Sequence, residues 1–528
     1  METIDREIGT KSRRRSVMQQ LVGPLAISCA LAIVSSARAA DCESLTGRKA
    51  GSGVVVKAQH LAAGAKIAAG PFPPFVAPRA FCRVQARLSA AADSDIQVEV
   101  WLPDATGWNG KLLGAGSGGF GGTIIIPDFE MLPALRSGYA AAGTDMGHEV
   151  PFGPISARWA YRHPQKLIDW DYRANHLAAL FAKKMIRAYY GSAPRRSYFQ
   201  GCSDGGHEAL MEALRYPTDY DGIIAGAPAS PWTRTMTDFI WDYQALNGAP
   251  GAELTESDLK LIHGAALARC DMLDGVKDGI VSYPPACHFD PAVLLCAPGR
   301  RQGCLNDAQV RAVREIYQGA RAGGAQISSG FAPGSELNWN PWIIGPKSMQ
   351  AQFGTESFRW MVYKNPNWTP AGSDIGRDFA DAEQRLGGMM NSDSPDLRAF
   401  ARRGGKLLLY QGWSDPAIPP GNIMTYYDAL TKELGASADQ VRLFMIPGMS
   451  HCGWGWGLQV EIDTVGPLDH WVEDGVAPQR LIAPAKALTQ PVCAWPKRAR
   501  WSGNGSTNDA ASFVCVEDKA VRESRALL

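Results

Sequence analysis

One short motif carries the residue types of a nucleophilic centre. Residues 201–206 read Gly-Cys-Ser-Asp-Gly-Gly, and Ser203 is the serine of the only G-x-S-x-G sequence in the chain. A serine on a tight turn between a strand and a helix needs small neighbours, because the backbone passes close to itself there. The following helix also offers amide donors and its positive dipole end to a developing oxyanion. The motif therefore predicts that Ser203 is a nucleophile.

The chain downstream of Ser203 supplies a base and a carboxylate that could activate it. A serine hydroxyl is a weak nucleophile until a histidine takes its proton, and the expected chain order is serine, acid, histidine. Asp415 follows a strand-like run at 406–410, and His451 follows another at 441–446. The order and the positions after strands predict a catalytic triad of Ser203, Asp415 and His451.

Two other histidines could compete for the role of base. His207 lies four residues beyond Ser203, and His148 follows an early strand-like run. We expect His207 to pack on its own helix. His451 is the stronger candidate because it alone follows a late strand so closely.

Cysteines adjoin both members of the proposed nucleophile and base pair. Cys202 immediately precedes Ser203, and Cys452 immediately follows His451. A disulfide between them would hold two distant loops in register and preorganise the pair. We therefore predict a Cys202–Cys452 disulfide.

The cysteine count indicates further disulfides. Of 11 cysteines, Cys29 falls in a predicted signal peptide, which leaves an even number in the mature chain and predicts five bridges in an oxidising compartment. The sequence leaves the other pairings open, although several cysteines are close neighbours: Cys270 and Cys287, Cys296 and Cys304, and Cys493 and Cys515.

The elements that must position these residues alternate between strands and helices. Strand-like runs occur at 96–100, 111–113, 139–142, 197–199, 406–410 and 441–446, and helical patterns at 175–190 and 207–216. Such alternation predicts a largely parallel sheet covered on both faces. The predicted class is α/β, specifically the α/β-hydrolase fold with a large lid inserted between the nucleophile half and the Asp/His half.

The length and composition indicate one large domain with an insertion. The 528 residues exceed what one core usually organises, and the alternation fades from 233 to 403 into a region rich in Trp, Cys, Asp, Gly and Pro. The predicted segments are a signal peptide at 1–40, core at 41–232, lid at 233–403 and core again at 404–528.

The N-terminal segment has the three parts of a signal peptide. Three arginines at 13–15 precede an apolar run at 21–34, and small residues follow up to Ala40. Cleavage near Ala39 or Ala40 would give a secreted or periplasmic chain. The general secretory route is favoured, and twin-arginine export is the alternative. No later stretch is long enough for a membrane span. The formal net charge of +1 gives no basic excess, so no nucleic-acid partner is expected.

The motifs Gly-Cys-Ser-Asp-Gly-Gly, Ser-Asp-Pro and Ser-His-Cys-Gly together resemble those of the tannase and feruloyl esterase family. The resemblance extends from Cys42 to Cys515. It implies a secreted serine esterase that cleaves esters of aromatic acids, such as gallates, ferulates or terephthalate monoesters, through an acyl-enzyme. The disulfides that it implies are Cys42–Cys82, Cys202–Cys452, Cys270–Cys287, Cys296–Cys304 and Cys493–Cys515.

The oxyanion hole is expected to use two backbone amides. One is the N–H of Asp204, the residue after the nucleophile. The second lies in the glycine-rich loop at 114–119. The resemblance implies Gly118 or Gly119 as this donor and leaves the choice open.

An acidic loop in the predicted lid has the composition of a calcium site. Three carboxylates lie within eight residues, interleaved with glycines, and hard oxygen ligands of this kind suit calcium. The resemblance implies that Ca²⁺ is bound by the side chains of Asp271, Asp274 and Asp278 and the carbonyls of Val276 and Ile280. Its role would be structural. The alternative is a solvated acidic turn.

Aromatic residues of the lid could form a wall against a planar acyl group. They are Trp339, Trp342, Phe353, Phe358, Trp360 and Trp368. Most are expected in the lid core, whereas Trp342 and Ile418 are predicted to contact substrate. No organic cofactor is expected. The alternatives are a non-catalytic binding protein on a hydrolase fold, which the complete triad disfavours, or an acyltransferase or peptidase with the same triad.

Overall fold

A computed structural model describes residues 40–150, 155–345, 347–453, 462–485 and 488–517. All of the predicted signal peptide except Ala40 lies outside these residues. The main sheet has ten strands in the described ranges. They are β1 (Lys49–Ala50), β2 (Gly53–Leu61), β3 (Phe81–Leu88), β4 (Ile96–Pro103), β5 (Lys111–Ala115), β6 (Ala140–Thr144), β7 (Arg196–Cys202), β8 (Gly222–Gly226), β9 (Lys406–Gly412) and β10 (Val441–Ile446).

The sheet is mixed, with its parallel half around the predicted nucleophile. The spatial order is β1-β2-β3-β4-β6-β5-β7-β8-β9-β10. Every pair from β6 to β10 along this order is parallel, and every pair from β1 to β6 is antiparallel. The expectation of a largely parallel sheet therefore needs correction. One side of strand β2 faces water and carries exposed residues, as antiparallel sheets allow. Its sequence therefore mixes polar and apolar residues and did not indicate a strand.

Helices cover both faces of the sheet. The longer ones are α1 (Ile125–Arg136), α2 (Ala174–Tyr190), α3 (Asp204–Arg215), α4 (Trp232–Asn247), α5 (Glu256–Cys270), α6 (Asp307–Gln318), α7 (Met349–Glu356), α8 (Ile375–Ala382), α9 (Pro420–Leu434) and α10 (Val465–Asp474). Shorter ones are Pro164–Ile168, Trp339–Trp342, Gly388–Met390 and Arg398–Arg402. Helix α2 ends at Tyr190 and is followed by Gly191, whose φ of 79° suits a left-handed C-cap.

Strand β7 shows how alternate side chains feed the two cores. Tyr198 is buried with residues of α1 and α10. Its neighbour Phe199 is buried on the opposite face, with residues of α3 and α9. Successive strand residues point to opposite faces, so a strand between two helical layers buries apolar side chains on both faces. Burying each large side chain contributes roughly 1.5–3 kcal/mol.

The chain between β8 and β9 forms a helical insertion. These two strands are adjacent and parallel, and in the described residues the intervening chain adds no strand to the main sheet. It contains α4 to α8 and a small hairpin of Arg321–Ala322 with Ala325–Gln326. Part of it has its own hydrophobic cluster, which includes Leu259, Val313 and Trp339.

The remaining chain adds three hairpins. They are Lys66–Ala69 with Phe72–Val76, Arg480–Ala485 with Leu488–Cys493, and Arg498–Trp501 with Phe513–Val516. The residues that the structure describes all belong to one compact unit. In the described residues, no helix has the length and apolarity required to cross a bilayer.

Candidate active site

The predicted triad residues meet at the carboxyl ends of three parallel strands. The His451 Nε2 atom lies 2.9 Å from Ser203 Oγ. Its Nδ1 atom lies 2.9 Å from Asp415 Oδ2 and 3.1 Å from Oδ1. The imidazole therefore bridges a hydroxyl and a carboxylate, the arrangement that proton transfer from serine requires.

Ser203 sits on a strained turn between β7 and α3. Its φ is 65°, in the region that side chains other than glycine rarely occupy. A Cβ on Gly201 would lie 2.3 Å from the Gly205 carbonyl oxygen, and one on Gly206 would lie 2.3 Å from the Gly226 carbonyl oxygen. These contacts explain why the motif requires glycine on both sides of the serine. Helix α3 begins at Asp204, earlier than the predicted start at 207.

Asp415 is fully buried, and three donors besides His451 hold its carboxylate. Its Oδ2 atom accepts a hydrogen bond from Gln411 Nε2 at 2.8 Å. Its Oδ1 atom accepts from the backbone N–H groups of Ala417 at 2.8 Å and Ile418 at 3.0 Å. These bonds fix the plane of the carboxylate, and that in turn fixes the orientation of the His451 ring.

The structure contains the five disulfides that the resemblance implied. Cys202 is bonded to Cys452 across a sequence separation of 250 residues, with their Cα atoms 5.9 Å apart. The others are Cys42–Cys82, Cys270–Cys287, Cys296–Cys304 and Cys493–Cys515. Cys202 and Cys452 both line the cavity that contains Ser203. The bridge thus ties the loop of Ser203 to the loop of His451.

Replacing both Cys202 and Cys452 with alanine should lower kcat by about 10²-fold in the folded protein, because small misplacements of reacting groups cost that much. The matched control is the double alanine variant of Cys493 and Cys515, a bridge between two hairpins. Steady-state kinetics below both melting temperatures makes the comparison. Equal kcat values in the two variants would make the first bridge a structural staple only.

The predicted oxyanion donors all face the same cavity. Gly118, Gly119 and Asp204 line it, and their N–H groups donate to no acceptor within the described residues. Asp204 begins α3, where backbone amides lack helical partners. These free donors could stabilise negative charge beside Ser203, and both glycines remain candidates for the second position.

A buried acid pair lies behind this oxyanion loop. Glu208 accepts hydrogen bonds from Ser117 N at 3.0 Å, Ser117 Oγ at 2.5 Å and Asn175 Nδ2 at 2.8 Å. Burial and the neighbouring Glu208 raise the pKa of Asp204 well above its ordinary value. Burial raises the pKa of Glu208 as well, but its hydrogen bonds from Ser117 and Asn175 favour the charged form, so Glu208 is the acceptor that holds the loop at Ser117. The raised pKa of Asp204 favours a neutral side chain next to the oxyanion position.

Substitutions of Asp204 and Glu208 should show which of the two side chains positions the loop at Ser117. Asp204→Asn resembles the neutral acid in shape, so we expect kcat to stay within about threefold of wild type. Glu208→Gln turns an acceptor into a partial donor facing Ser117 and should lower kcat about tenfold by loosening the loop. Kinetics of both variants with a small ester provides the measurement. A larger loss in Asp204→Asn than in Glu208→Gln would contradict the assignment.

The two rival histidines have other partners. His207 is buried, with its Nε2 atom 3.1 Å from Asp171 Oδ1 and its Nδ1 atom 3.0 Å from Ser392 Oγ. His148 is stacked on Trp159 with ring centroids 3.7 Å apart, and burial lowers its pKa to about 3. Neither makes a hydrogen bond with Ser203.

A cavity of about 650 Å³ opens beside Ser203. Trp342 and Ile418, the predicted substrate contacts, both line it, and the Trp342 ring lies edge-on to His451 at 5.0 Å between centroids. Phe353 also lines the cavity. Of the other lid aromatics, Trp339 and Phe358 are buried in hydrophobic clusters.

Several cavity residues had no signal in the sequence pattern. They are Phe72, Phe120, Ile126, Phe129, Glu130, Trp232, Met236, Phe239 and Tyr410. Most of them lie on helices or in the turn after β5. Whether such a side chain points into the cavity depends on how these elements pack, which the sequence pattern does not indicate. A lone glutamate in an amphipathic helix has no spacing that marks it as a site residue.

The acidic loop after α5 has the oxygen donors that calcium prefers. Asp271 Oδ1 accepts the N–H groups of Asp278 and Gly279, each at 3.1 Å. Burial and the nearby Asp271 carboxylate raise the pKa of Asp274, a repulsion that a cation would relieve. Within the described ranges, however, no three acidic, histidine or cysteine side chains are grouped closely enough to hold a metal ion. The loop fits calcium in chemistry, and calcium binding remains a prediction.

Comparisons with known proteins agree with the fold. Residues 82–516 match the sequence model described as tannase and feruloyl esterase. An uncharacterized esterase of Xanthomonas campestris is 35% identical over 96% of both chains. A probable feruloyl esterase B-2 of Aspergillus terreus is 30% identical over 82% of this chain and 86% of its own. The crystal structure of feruloyl esterase B from Aspergillus oryzae superimposes with a TM-score of 0.82 at 28% identity, covering 90% of this chain and 99% of that one.

Proposed function

The chain belongs to the tannase and feruloyl esterase family and is a carboxylic ester hydrolase, and from this premise we propose that it cleaves esters of aromatic acids with a Ser203–His451–Asp415 triad. The observation that carries the proposal is the His451 imidazole, which lies 2.9 Å from both Ser203 Oγ and Asp415 Oδ2. The aromatic wall of the adjacent cavity supports a planar aromatic substrate.

In the proposed acylation step, His451 Nε2 takes the proton of Ser203 as Oγ bonds to the ester carbonyl carbon. Asp415 stabilises the imidazolium and keeps the Nδ1–H tautomer in place. The carbonyl oxygen becomes an oxyanion that accepts from the N–H of Asp204 and from Gly118 or Gly119. The imidazolium then gives its proton to the departing alcohol, and the C–O bond breaks to leave an acyl-Ser203.

Deacylation repeats the same steps with water. His451 takes a proton from water as the hydroxide oxygen bonds to the acyl carbon, and the Ser203 oxygen leaves with that proton. The cavity contributes positioning, because apolar walls that hold the ring fix the ester carbonyl near Ser203.

A parallel substrate panel tests this function. Methyl gallate, methyl ferulate, monomethyl terephthalate and a peptide amide would be assayed for release of acid. We expect turnover of at least one aromatic ester, and kcat/KM for the peptide lower by orders of magnitude. Peptide cleavage with no ester turnover, or transfer to an added alcohol in preference to water, would contradict the proposal.

We also propose that the chain is exported. Five disulfides are typical of proteins that fold in an oxidising compartment. The signal-peptide pattern before Ala40, which lies outside the described residues, supports the same conclusion.

Calcium is proposed as a structural ion of the lid, bound by the side chains of Asp271, Asp274 and Asp278 and the carbonyls of Val276 and Ile280. Its charge would offset the mutual repulsion of the three carboxylates, and the Cys270–Cys287 bridge closes the same loop. The catalytic steps do not involve this ion.

Removal of calcium should therefore lower the melting temperature without changing the chemistry at Ser203. A ligand that binds the native state alone stabilises by mass action, about 2.7 kcal/mol at 100 times Kd. Melting curves with a chelator, with added Ca²⁺ and with added Mg²⁺ provide the measurement. The Asp278→Asn variant should lose most of the calcium response. An identical curve in chelator, with no metal in the purified protein, would contradict calcium binding.

A further inference from the structure

The cavity beside Ser203 has a second polar region, separate from the triad and the oxyanion loop. It is formed by Glu130 of α1 and Tyr410 of β9, which both line the cavity and are partly exposed. Gln200 of β7 donates its Nε2–H to Glu130 Oε2 at 2.5 Å. This hydrogen bond orients the carboxyl group and leaves Oε1 without a protein partner among the described residues.

This polar region lies close to the nucleophile. Gln200 lies on β7, three residues before Ser203, which follows the end of this strand. A Cβ on Gly226 would lie 2.3 Å from the Tyr410 hydroxyl oxygen, so the hydroxyl rests directly against that residue. The Gly226 carbonyl in turn accepts a hydrogen bond from Ser203 N at 3.0 Å. A group bound by Glu130 and Tyr410 would thus belong to the same substrate that places its carbonyl at Ser203.

The surroundings indicate what kind of group binds here. Phe72 and Phe129 line this part of the cavity and meet edge to face with centroids 5.6 Å apart. Among the residues that the structure describes, no lysine or arginine lines the cavity. The Tyr410 hydroxyl has no hydrogen-bond partner in the described part of the chain. An acceptor and a hydroxyl inside an aromatic wall suit a neutral ring that carries a hydrogen-bond donor.

The charges around Glu130 also favour a neutral group over an anionic one. Burial raises the pKa of Glu130 to about 7, and burial together with the Glu130 charge raises the pKa of Tyr410. An anionic group placed here would meet a carboxyl group with no cation to balance it. A substrate with a free carboxylate at this end is therefore disfavoured.

We propose that Glu130 and Tyr410 bind a phenolic hydroxyl of the ester substrate, with the phenol donating to Glu130 and Tyr410 donating to the phenol oxygen. The proposal rests on the proposed function, because it assumes that the ester carbonyl lies at Ser203. It also narrows the substrate class: hydroxylated aromatic esters fit the cavity better than monoesters of a dicarboxylic acid.

Matched ester pairs that differ only in this donor test the proposal. One pair is methyl 4-hydroxycinnamate and methyl 4-methoxycinnamate, with the hydroxyl in the acyl group. The other is the acetate of 4-hydroxybenzyl alcohol and that of 4-methoxybenzyl alcohol, with the hydroxyl in the leaving group. In the wild type, kcat/KM for the hydroxylated ester should exceed that for its ether about tenfold in one pair. The pair that responds identifies which part of the substrate reaches Glu130.

Glu130→Gln and Tyr410→Phe should each lower the ratio of kcat/KM between the hydroxylated ester and its ether about tenfold, to near unity. Each substitution alters a hydrogen-bonding group and hardly changes the side-chain volume. Glu433→Gln, the same substitution on the exposed face of α9, is the control and should keep the wild-type ratio. Monomethyl terephthalate should have a kcat/KM at least tenfold below that of methyl 4-hydroxycinnamate in the wild type.

The outcomes separate this proposal from the assignment of Ser203. Turnover of both esters with the same preference in wild type and both variants would overturn the phenol site and leave the triad intact. A wild-type preference for monomethyl terephthalate would also overturn it. Failure of a fluorophosphonate to label Ser203, with no ester turned over, would instead overturn the proposed function.

Discussion

Ser203→Ala should abolish ester turnover and labelling by a fluorophosphonate probe, with kcat reduced on the order of 10⁶-fold. The serine oxygen is the only atom of the proposed triad that bonds to the substrate, and His451 Nε2 lies 2.9 Å from it. Alanine keeps the Cβ that serine already has at this φ of 65° and adds no atoms, so the variant should fold. Probe labelling followed by peptide mapping identifies the modified residue.

The control for this experiment is Ser44→Ala, which changes an exposed serine and should label and turn over like the wild type. Full labelling of Ser203→Ala would show that another residue is the nucleophile. If Ser203→Ala loses labelling and also has a lowered melting temperature, the labelling experiment is repeated at a temperature where the variant is folded.

Asp415→Asn should lower kcat about 10⁴-fold and leave the fold intact. An amide can still accept from the backbone N–H groups of Ala417 and Ile418, which now bond to Asp415 Oδ1. It cannot supply the negative charge that stabilises the imidazolium. Its NH₂ group would also favour the wrong tautomer of His451.

A second Asp–His pair offers a matched control for Asp415. The Asp219 carboxylate lies 2.6 Å from His176 Nδ1, and neither residue lines the cavity. Asp219→Asn should therefore lose some stability and keep its kcat. Similar kcat values for the two asparagine variants would remove Asp415 from the proposed mechanism.

The proposed triad could be predicted from the sequence because its members follow simple local rules. Ser203 lies in a motif that demands glycines, and Asp415 and His451 follow apolar runs that end at the same edge of a parallel sheet. Cys202 and Cys452 were found because each adjoins one of these residues. Where chemistry is tied to a strand end or a tight turn, one-dimensional spacing is enough to locate it.

The polar partners of the site were not accessible in this way. Glu208 and Glu130 lie on helices among other residues of ordinary helical composition, and each acquires its role from contacts with another element, at Ser117 and Gln200. Tyr410 falls within a strand that was correctly expected, yet its direction into the cavity depends on the absence of a side chain at Gly226. The antiparallel half of the sheet was missed for a related reason, since strands with one wet face carry a weaker hydrophobic pattern.

The pairing of Cys202 with Cys452 also constrains how the finished protein can be made. In the other four bridges, each cysteine joins the next one along the chain. Cys202 instead skips four cysteines, and its partner is synthesised 250 residues later. A chain oxidised strictly in the order of its synthesis would join Cys202 to Cys270 and leave the nucleophile without its base. Correct maturation therefore requires that Cys202 stay reduced until the C-terminal half has emerged, or that a disulfide isomerase correct the early pairing.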